Sequence, residues 1–251
     1  MFYYLNQILK EIDIPGMGMF AYVSFRSLMA LIVSLIISMW AGEYFIKYMH
    51  RKKCIEGARS ADIDPYGVQK KDVPSMGGLV ILLAIVVPAL LFGSLNNVYV
   101  LLLIATALFF GALGFWDDKI KLSGNKDGLP PRYKMLGQLI FGGIIGVTLW
   151  LSPQAVVREN VTQEIGVEEV VYHKSEARKS TVTTVPFCKN NNIDYYELFS
   201  FIPNGTIKRA CGWLFFVLFT TVVITAVSNG ANLNDGMDGM CAGNSAIIGT
   251  A

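Results

Sequence analysis

The sequence predicts an all-α polytopic membrane protein with about five complete transmembrane helices, the start of a sixth, and an external β-hairpin insert. Three observations carry this. Hydrophobic residues make up 53% of the 251 and charged residues 16%, against about 45–50% and about 25% in soluble chains. Five apolar stretches approach the length of about 20 residues that a spanning helix needs. Basic residues are concentrated in alternate connecting loops, as a chain that crosses a membrane repeatedly requires. A net charge of +2 is too small to indicate a nucleic-acid partner. The four cysteines, Cys54, Cys188, Cys211 and Cys241, lack metal-ligand spacing and read as structural thiols.

At the start, Leu5, Ile8, Leu9 and Ile12 recur at helical spacing, with Gln7, Lys10, Glu11 and Asp13 between them. Residues 1–20 are therefore expected to form an interfacial helix ended by Pro15-Gly16, rather than a cleaved signal peptide. The spans follow at about 27–48, 77–95, 98–117, 133–151 and 211–229, and a sixth apolar stretch begins near Met240. That last stretch stops at Ala251 and is too short to cross a bilayer, so the chain is expected to be a piece of a longer protein forming one membrane domain. The loop after the first span carries Arg51, Lys52, Lys53, Arg59, Lys70 and Lys71, whereas residues 93–97 carry no basic residue. The first loop is thus expected in the cytoplasm and the second outside. Lys119, Lys121, Lys126, Arg132 and Lys134 return the next loop to the cytoplasm.

Residues 152–210 are long, polar and rich in β-branched side chains, and alternation places them outside. The runs Val167–Tyr172 and Ser180–Val185 predict the two strands of a hairpin. Trp150 and Trp213 flank this insert, where an aromatic belt belongs.

Four carboxylates stand out against this background. Asp117 and Asp118 end the third span, and Asp235 and Asp238 lie in Asn232-Leu233-Asn234-Asp235-Gly236-Met237-Asp238-Gly239. A carboxylate at the edge of a bilayer needs a metal or a cationic partner. Both clusters emerge on the side assigned to the cytoplasm, which the charge count did not assume, and they are expected to share one site. Carboxylates that hold a divalent cation, with lysines that screen anionic oxygens, suit phosphoryl transfer. Asp117 and Asp118, about 100° apart on a helix, cannot face the same way; one is expected to face the reacting centre while the other is held by a lysine or a metal. If residues 232–239 begin a helix, Asn232, Asp235 and Asp238 share a face. Pro74-Ser75-Met76-Gly77-Gly78, after Lys70-Lys71, has the makings of an anion-binding helix start.

These residues resemble the bacterial phospho-N-acetylmuramoyl-pentapeptide transferase family, within the polyprenyl-phosphate N-acetylhexosamine-1-phosphate transferase superfamily. The resemblance runs through Ile14–Gly18 with Ser24-Phe25-Arg26, Lys70–Gly78, Gly114–Asp118, Gly128–Lys134 with Gln138, and Asn229–Gly239. It implies a ten-helix bacterial inner-membrane enzyme that uses magnesium. Such an enzyme transfers phospho-N-acetylmuramoyl-pentapeptide from UDP-MurNAc-pentapeptide to undecaprenyl phosphate, giving lipid I and UMP. It further implies that Asp117 and Asp118 are the catalytic acidic pair and metal ligands. The implied substrate-binding residues are Lys70, Ser75, Lys121, Lys126, Lys134, Asn232, Asp235, Gly236, Met237 and Asp238. A homodimer is implied as well.

The family's third aspartate and its histidine-rich loop have no counterpart here, where the histidines are His50 and His173. The chain is therefore expected to be inactive by itself. Ser75 and Asp72-Val73 also depart from the family's usual residues. Three other readings stay open at this level: a sibling GlcNAc-1-phosphate transferase, a secondary transporter with ion-binding acids, and a membrane scaffold. Whether the acidic pair supports direct attack or a covalent intermediate is equally open.

Overall fold

The computed structural model describes residues 4, 17–52, 76–123, 128–157, 160–164, 170–174, 178–185, 192–235 and 239–250. The chain divides into two compact units, Met1–Lys134 and Met135–Ala251. Most of the expected N-terminal interfacial helix lies outside the described residues; a short 3-10 helix, Met17–Ala21, leads into the first long helix.

In the first unit, α1 (Val23–Lys52), α2 (Gly78–Phe92) and α3 (Val98–Leu122) follow one another. At 30 and 25 residues, α1 and α3 extend about 45 and 38 Å. Both exceed a hydrocarbon core about 30 Å thick. Expected as a full span, α2 has only 15 helical residues, about 22 Å. The reason lies at its ends. Met76 holds a left-handed φ of 65°, so the helix starts only at Gly78, and the extended backbone of Gly93 stops it. A Cβ on Gly93 would come 2.3 Å from the Ala89 carbonyl oxygen that its own N–H bonds, so a side chain there would break the cap. The Asn97 side chain then caps α3 by accepting from the Tyr99 N–H at 2.9 Å. Arg26 ties α1 to the end of α2 by donating to the Phe92 carbonyl at 3.4 Å. The Phe20 ring stacks on Phe92 beside it, centroids 6.5 Å apart.

The second unit contains most of α4 (Pro131–Leu151), then β1 (Asn160–Glu164), β2 (Val170–Lys174), β3 (Val182–Thr184), β4 (Asn192–Asp194), α5 (Tyr195–Leu198), α6 (Gly205–Asn234) and α7 (Met240–Thr250). With α1 and α3, α4 and α6 make four helices among the described residues that are long and apolar enough to cross a membrane. The large apolar side chains of these helices point outward, Trp40 at 79% exposure and Leu103 at 70% among them. Fully buried hydrophobic residues are few among those described. A soluble protein distributes its side chains the other way, and lipid is the solvent that fits this surface.

α4 and α6 touch along glycine. A Cβ on Gly142 would meet the Thr221 Cα at 3.1 Å, and one on Gly146 would meet the Val217 Cα at 3.1 Å. The Gly142-x-x-x-Gly146 spacing puts both on one face, the small-residue contact by which membrane helices pack without a hydrophobic driving force.

The insert departs from the expected pairing. The two strands read from sequence do not pair with each other. Instead β1 pairs antiparallel with β2, and β3 with β4, giving two small hairpins. The missed partners, Asn160–Glu164 and Asn192–Asp194, are polar and have one β-branched aliphatic residue each. A criterion built on β-branched runs passes over such strands, although backbone pairing needs no apolar side chains. Residues 167–169 of the expected first strand lie outside the described residues.

Candidate functional site

The site candidate in the first unit is built at the end of α3. A helix C-terminus favours cations, and Lys119 and Lys121 occupy this last turn. Carboxylates there need compensation, and Asp117 receives it completely. It is 7% exposed. Its Oδ2 lies 2.9 Å from Lys121 Nζ, one turn on. Its Oδ1 lies 2.9 Å from Lys134 Nζ, in the first turn of α4, and accepts the Leu129 backbone N–H at 2.7 Å. A single carboxylate thereby fixes two lysines and the chain between them.

Gly128 makes this geometry possible. Its φ is 68°, where a side chain is strained, and a Cβ would lie 2.4 Å from Asp117 Oδ1. The backbone must turn there to bring the Leu129 N–H onto the carboxylate. Pro131 then opens α4, its missing N–H being one that a first helical turn leaves unbonded in any case.

Asp118 points elsewhere. It lines a cavity of about 190 Å³ together with Met76, Gly78 and Leu79 at the start of α2, and Gly111, Gly114 and Phe115 on α3. The neighbouring acids are thus separated, one held by lysines and one on a cavity wall. Gly78 and Gly114 have open space where a Cβ would sit, whereas one on Gly111 would meet Leu82, and the Leu79 and Val80 N–H groups at the start of α2 bond the Met76 and Gly77 carbonyls. Asp118 and the start of α2 thus share this cavity, and Lys70, Lys71, Pro74 and Ser75 of the expected anion-binding start lie outside the described residues.

In donor chemistry this fits a hard cation that takes one or two carboxylates and fills its remaining positions with water and phosphate oxygens. Asp118 is the carboxylate on the cavity wall. Asp117 already carries two ammonium partners. No cluster of three or more metal-ligating side chains occurs among the described residues.

In the second unit, Asn232 lies in the last turn of α6 and Asp235 is its C-terminal cap; both are exposed. The condition that residues 232–239 begin a helix is not met at its start: α6 runs on to Asn234, and Gly239, at a φ of 77°, precedes α7. The apolar run continues as helix through Ser228-Asn229-Gly230-Ala231, which reads as a stop but carries enough helix-compatible residues to extend it. Lys70, Ser75, Lys126, Gly236, Met237 and Asp238 lie outside the described residues.

Below that end, Gln138 on α4 is buried and bonds α6. Its Nε2 donates to Ser228 Oγ at 3.0 Å and Asn229 Oδ1 at 3.3 Å, and its Oε1 accepts from Asn229 Nδ2 at 3.0 Å. Periodicity gave no warning of this bridge. A lone glutamine inside an apolar run is the signal, because an amide in a membrane helix seeks a partner on a neighbouring one.

Residues 100–251 match the family described as glycosyl transferase family 4. The chain is 55% identical over 251 residues to a phospho-N-acetylmuramoyl-pentapeptide-transferase of Phocaeicola vulgatus, covering 99% of this chain and 59% of that protein. It is 51% identical to one of Bacteroides fragilis and 44% identical to one of Porphyromonas gingivalis, with the same coverage. It thus spans about three fifths of the length of these relatives.

Proposed function

The chain belongs to glycosyl transferase family 4, and from that premise we propose that the protein transfers phospho-N-acetylmuramoyl-pentapeptide from UDP-MurNAc-pentapeptide to undecaprenyl phosphate, forming lipid I and UMP. It does so as a magnesium-dependent enzyme of the bacterial inner membrane, at the cytoplasmic face, in peptidoglycan synthesis. The names of the relatives support the reaction. The observation that carries the chemistry is the clamp of Asp117 by Lys121, Lys134 and Leu129, next to an Asp118 that lines a cavity.

In this transfer an oxygen of the lipid phosphate forms a bond to the sugar-linked phosphorus, and the bond from that phosphorus to the oxygen of departing UMP breaks. Every reactant is a phosphate anion, so positioning and charge stabilisation supply most of the acceleration. Each lysine ammonium has three donors, and its contact with Asp117 engages one. Lys121 and Lys134 are thereby fixed in place as cations beside which phosphate oxygens can sit. Asp117 acts as the positioning carboxylate, and Asp118 faces the reacting phosphates. Asp118 would hold the magnesium ion, which would supply further charge neutralisation on the diphosphate. Asn232 and Asp235, with Gly236, Met237 and Asp238, take the nucleoside, and Lys70, Ser75 and Lys126 add phosphate contacts.

The test is magnesium-dependent UMP release by the full-length protein from UDP-MurNAc-pentapeptide and undecaprenyl phosphate, in wild type and Asp118→Asn. Release that the substitution abolishes is expected. A protein that instead accepts UDP-GlcNAc overturns the muramoyl assignment and makes it a sibling sugar-phosphate transferase.

A further inference from the structure

We infer that the pocket where α6 begins binds the phosphate of an anionic phospholipid head group. The pocket has a volume of about 520 Å³ and lies wholly within the second unit. Arg209, on its wall, precedes Asp235 by 26 residues of α6, which at 1.5 Å each is about 39 Å. It is therefore one membrane thickness from the nucleoside-binding residues proposed above, and it does not depend on the reaction.

Charge defines the ligand. Arg178, Lys179 and Arg209 line the pocket against one carboxylate, Asp194. That carboxylate is engaged: it accepts Thr181 Oγ1 at 2.5 Å and the Tyr196 N–H at 2.9 Å, capping α5. Arg178 and Arg209 have no ion-pair partner among the described residues. The Arg178 backbone is held by a two-bond bridge to Val157, at 2.9 and 3.1 Å, which fixes where its guanidinium begins. The surplus is cationic, and guanidinium forks suit phosphate oxygens.

Position defines the source. Trp213, another wall of the pocket, stacks on Trp150 at the end of α4, centroids 6.2 Å apart. Paired indoles, one at the end of α4 and one about two turns into α6, mark the level of the membrane interface, where lipid phosphates lie. Lys179 Nζ donates to the Trp150 carbonyl, joining the basic segment to that level. Lys208 extends the cationic surface, its Nζ 4.0 Å from the Tyr196 ring centroid. A soluble phosphate has no use for the Trp213 wall, whereas the glycerol and acyl start of a lipid do.

The experiment is native mass spectrometry of the full-length protein released from nanodiscs of equal phosphatidylglycerol and phosphatidylcholine. Wild type is expected to retain phosphatidylglycerol selectively. The double variant Arg178→Gln/Arg209→Gln is expected to lower that retention about thirtyfold, given the worth of two basic side chains near an anionic surface. Arg178→Lys/Arg209→Lys, which keeps the charge, is expected to restore most of it. Equal loss in Arg51→Gln/Lys52→Gln, at the end of α1, would overturn the site in favour of general charge. Equal retention of phosphatidylcholine, or displacement by millimolar inorganic phosphate, would overturn the lipid head group as its ligand.

Discussion

Among the described residues, Asp117 and Gln138 are polar side chains buried in apolar helices, and they are satisfied differently. Asp117 meets two ammonium groups and a backbone N–H, whereas Gln138 meets a neutral amide and a hydroxyl. The charged arrangement sets two ammonium groups around one carboxylate, a local excess of positive charge, beside a second acid on a cavity wall. The neutral one closes on itself: Gln138 and Asn229 use each other's groups and leave nothing directed outward. Burial and hydrogen bonding alone therefore do not mark a reactive site. The two differ in net charge, and on the proposed function the end of α3 is the chemical one and the α4–α6 bridge the structural one.

Substitutions can break that distinction. Asp117→Asn should have the largest effect, because the amide cannot neutralise both lysines and they lose the anchor that orients them. UMP release should fall about a thousandfold or more, on the scale of removing one preorganised electrostatic group; a loss of only a few-fold would return Asp117 to the structural class. Lys134→Met leaves Asp117 with Lys121 alone, and turnover should fall about ten- to a hundredfold, in line with losing one charge-assisted contact in the transition state. Gly128→Ala should lower stability by about 1–3 kcal/mol through left-handed strain and its clash with Asp117, read as a drop in the thermal midpoint. Activity should fall with it, since the Leu129 N–H moves.

The neutral bridge sharpens the contrast from the other side. Gln138→Leu strands Asn229 and Ser228, and should lower stability by about 1–2 kcal/mol, given about 0.6 kcal/mol for an average membrane hydrogen bond plus unpaired groups. Its kcat should stay within about twofold of wild type. A thousandfold loss in this variant would move Gln138 into the catalytic apparatus. Trp150→Leu, which removes a ring stack, should have the smallest effect, about 0.5–1.5 kcal/mol.

The sequence made much of this visible because its strongest signals are periodic and costly. Apolar runs of spanning length located α1, α3, α4 and α6, and paired acids at a membrane edge located Asp117 and Asp118. That neighbours on a helix diverge also led to the expectation that one acid is held by lysine, and Lys121 and Lys134 hold Asp117. Which of the two is held depends on Gly128, whose left-handed turn brings Leu129 and Lys134 back onto α3. No local pattern encodes that return. The shortness of α2 was hidden because hydropathy follows side chains, whereas Met76 and Gly93 end the helix through the backbone. Polar strands were missed for a related reason: in Asn160–Glu164 and Asn192–Asp194 the pairing belongs to main-chain groups. The glycine contact between α4 and α6 was legible as Gly142-x-x-x-Gly146, yet glycine contributes little to hydropathy and so passed as filler.

That glycine contact has a bearing on engineering. Because α4 and α6 are locked to each other by backbone approach at Gly142 and Gly146 and by the Gln138 bridge, the segment from Leu151 to Gly205 need not set their spacing. Lengthening a connection already closed at both ends adds little entropy, about 0.6 kcal/mol for each doubling. The β1–β2 hairpin is thus a place where a fluorescent reporter or an affinity handle can be spliced into the chain while the helix pair beneath it stays in register.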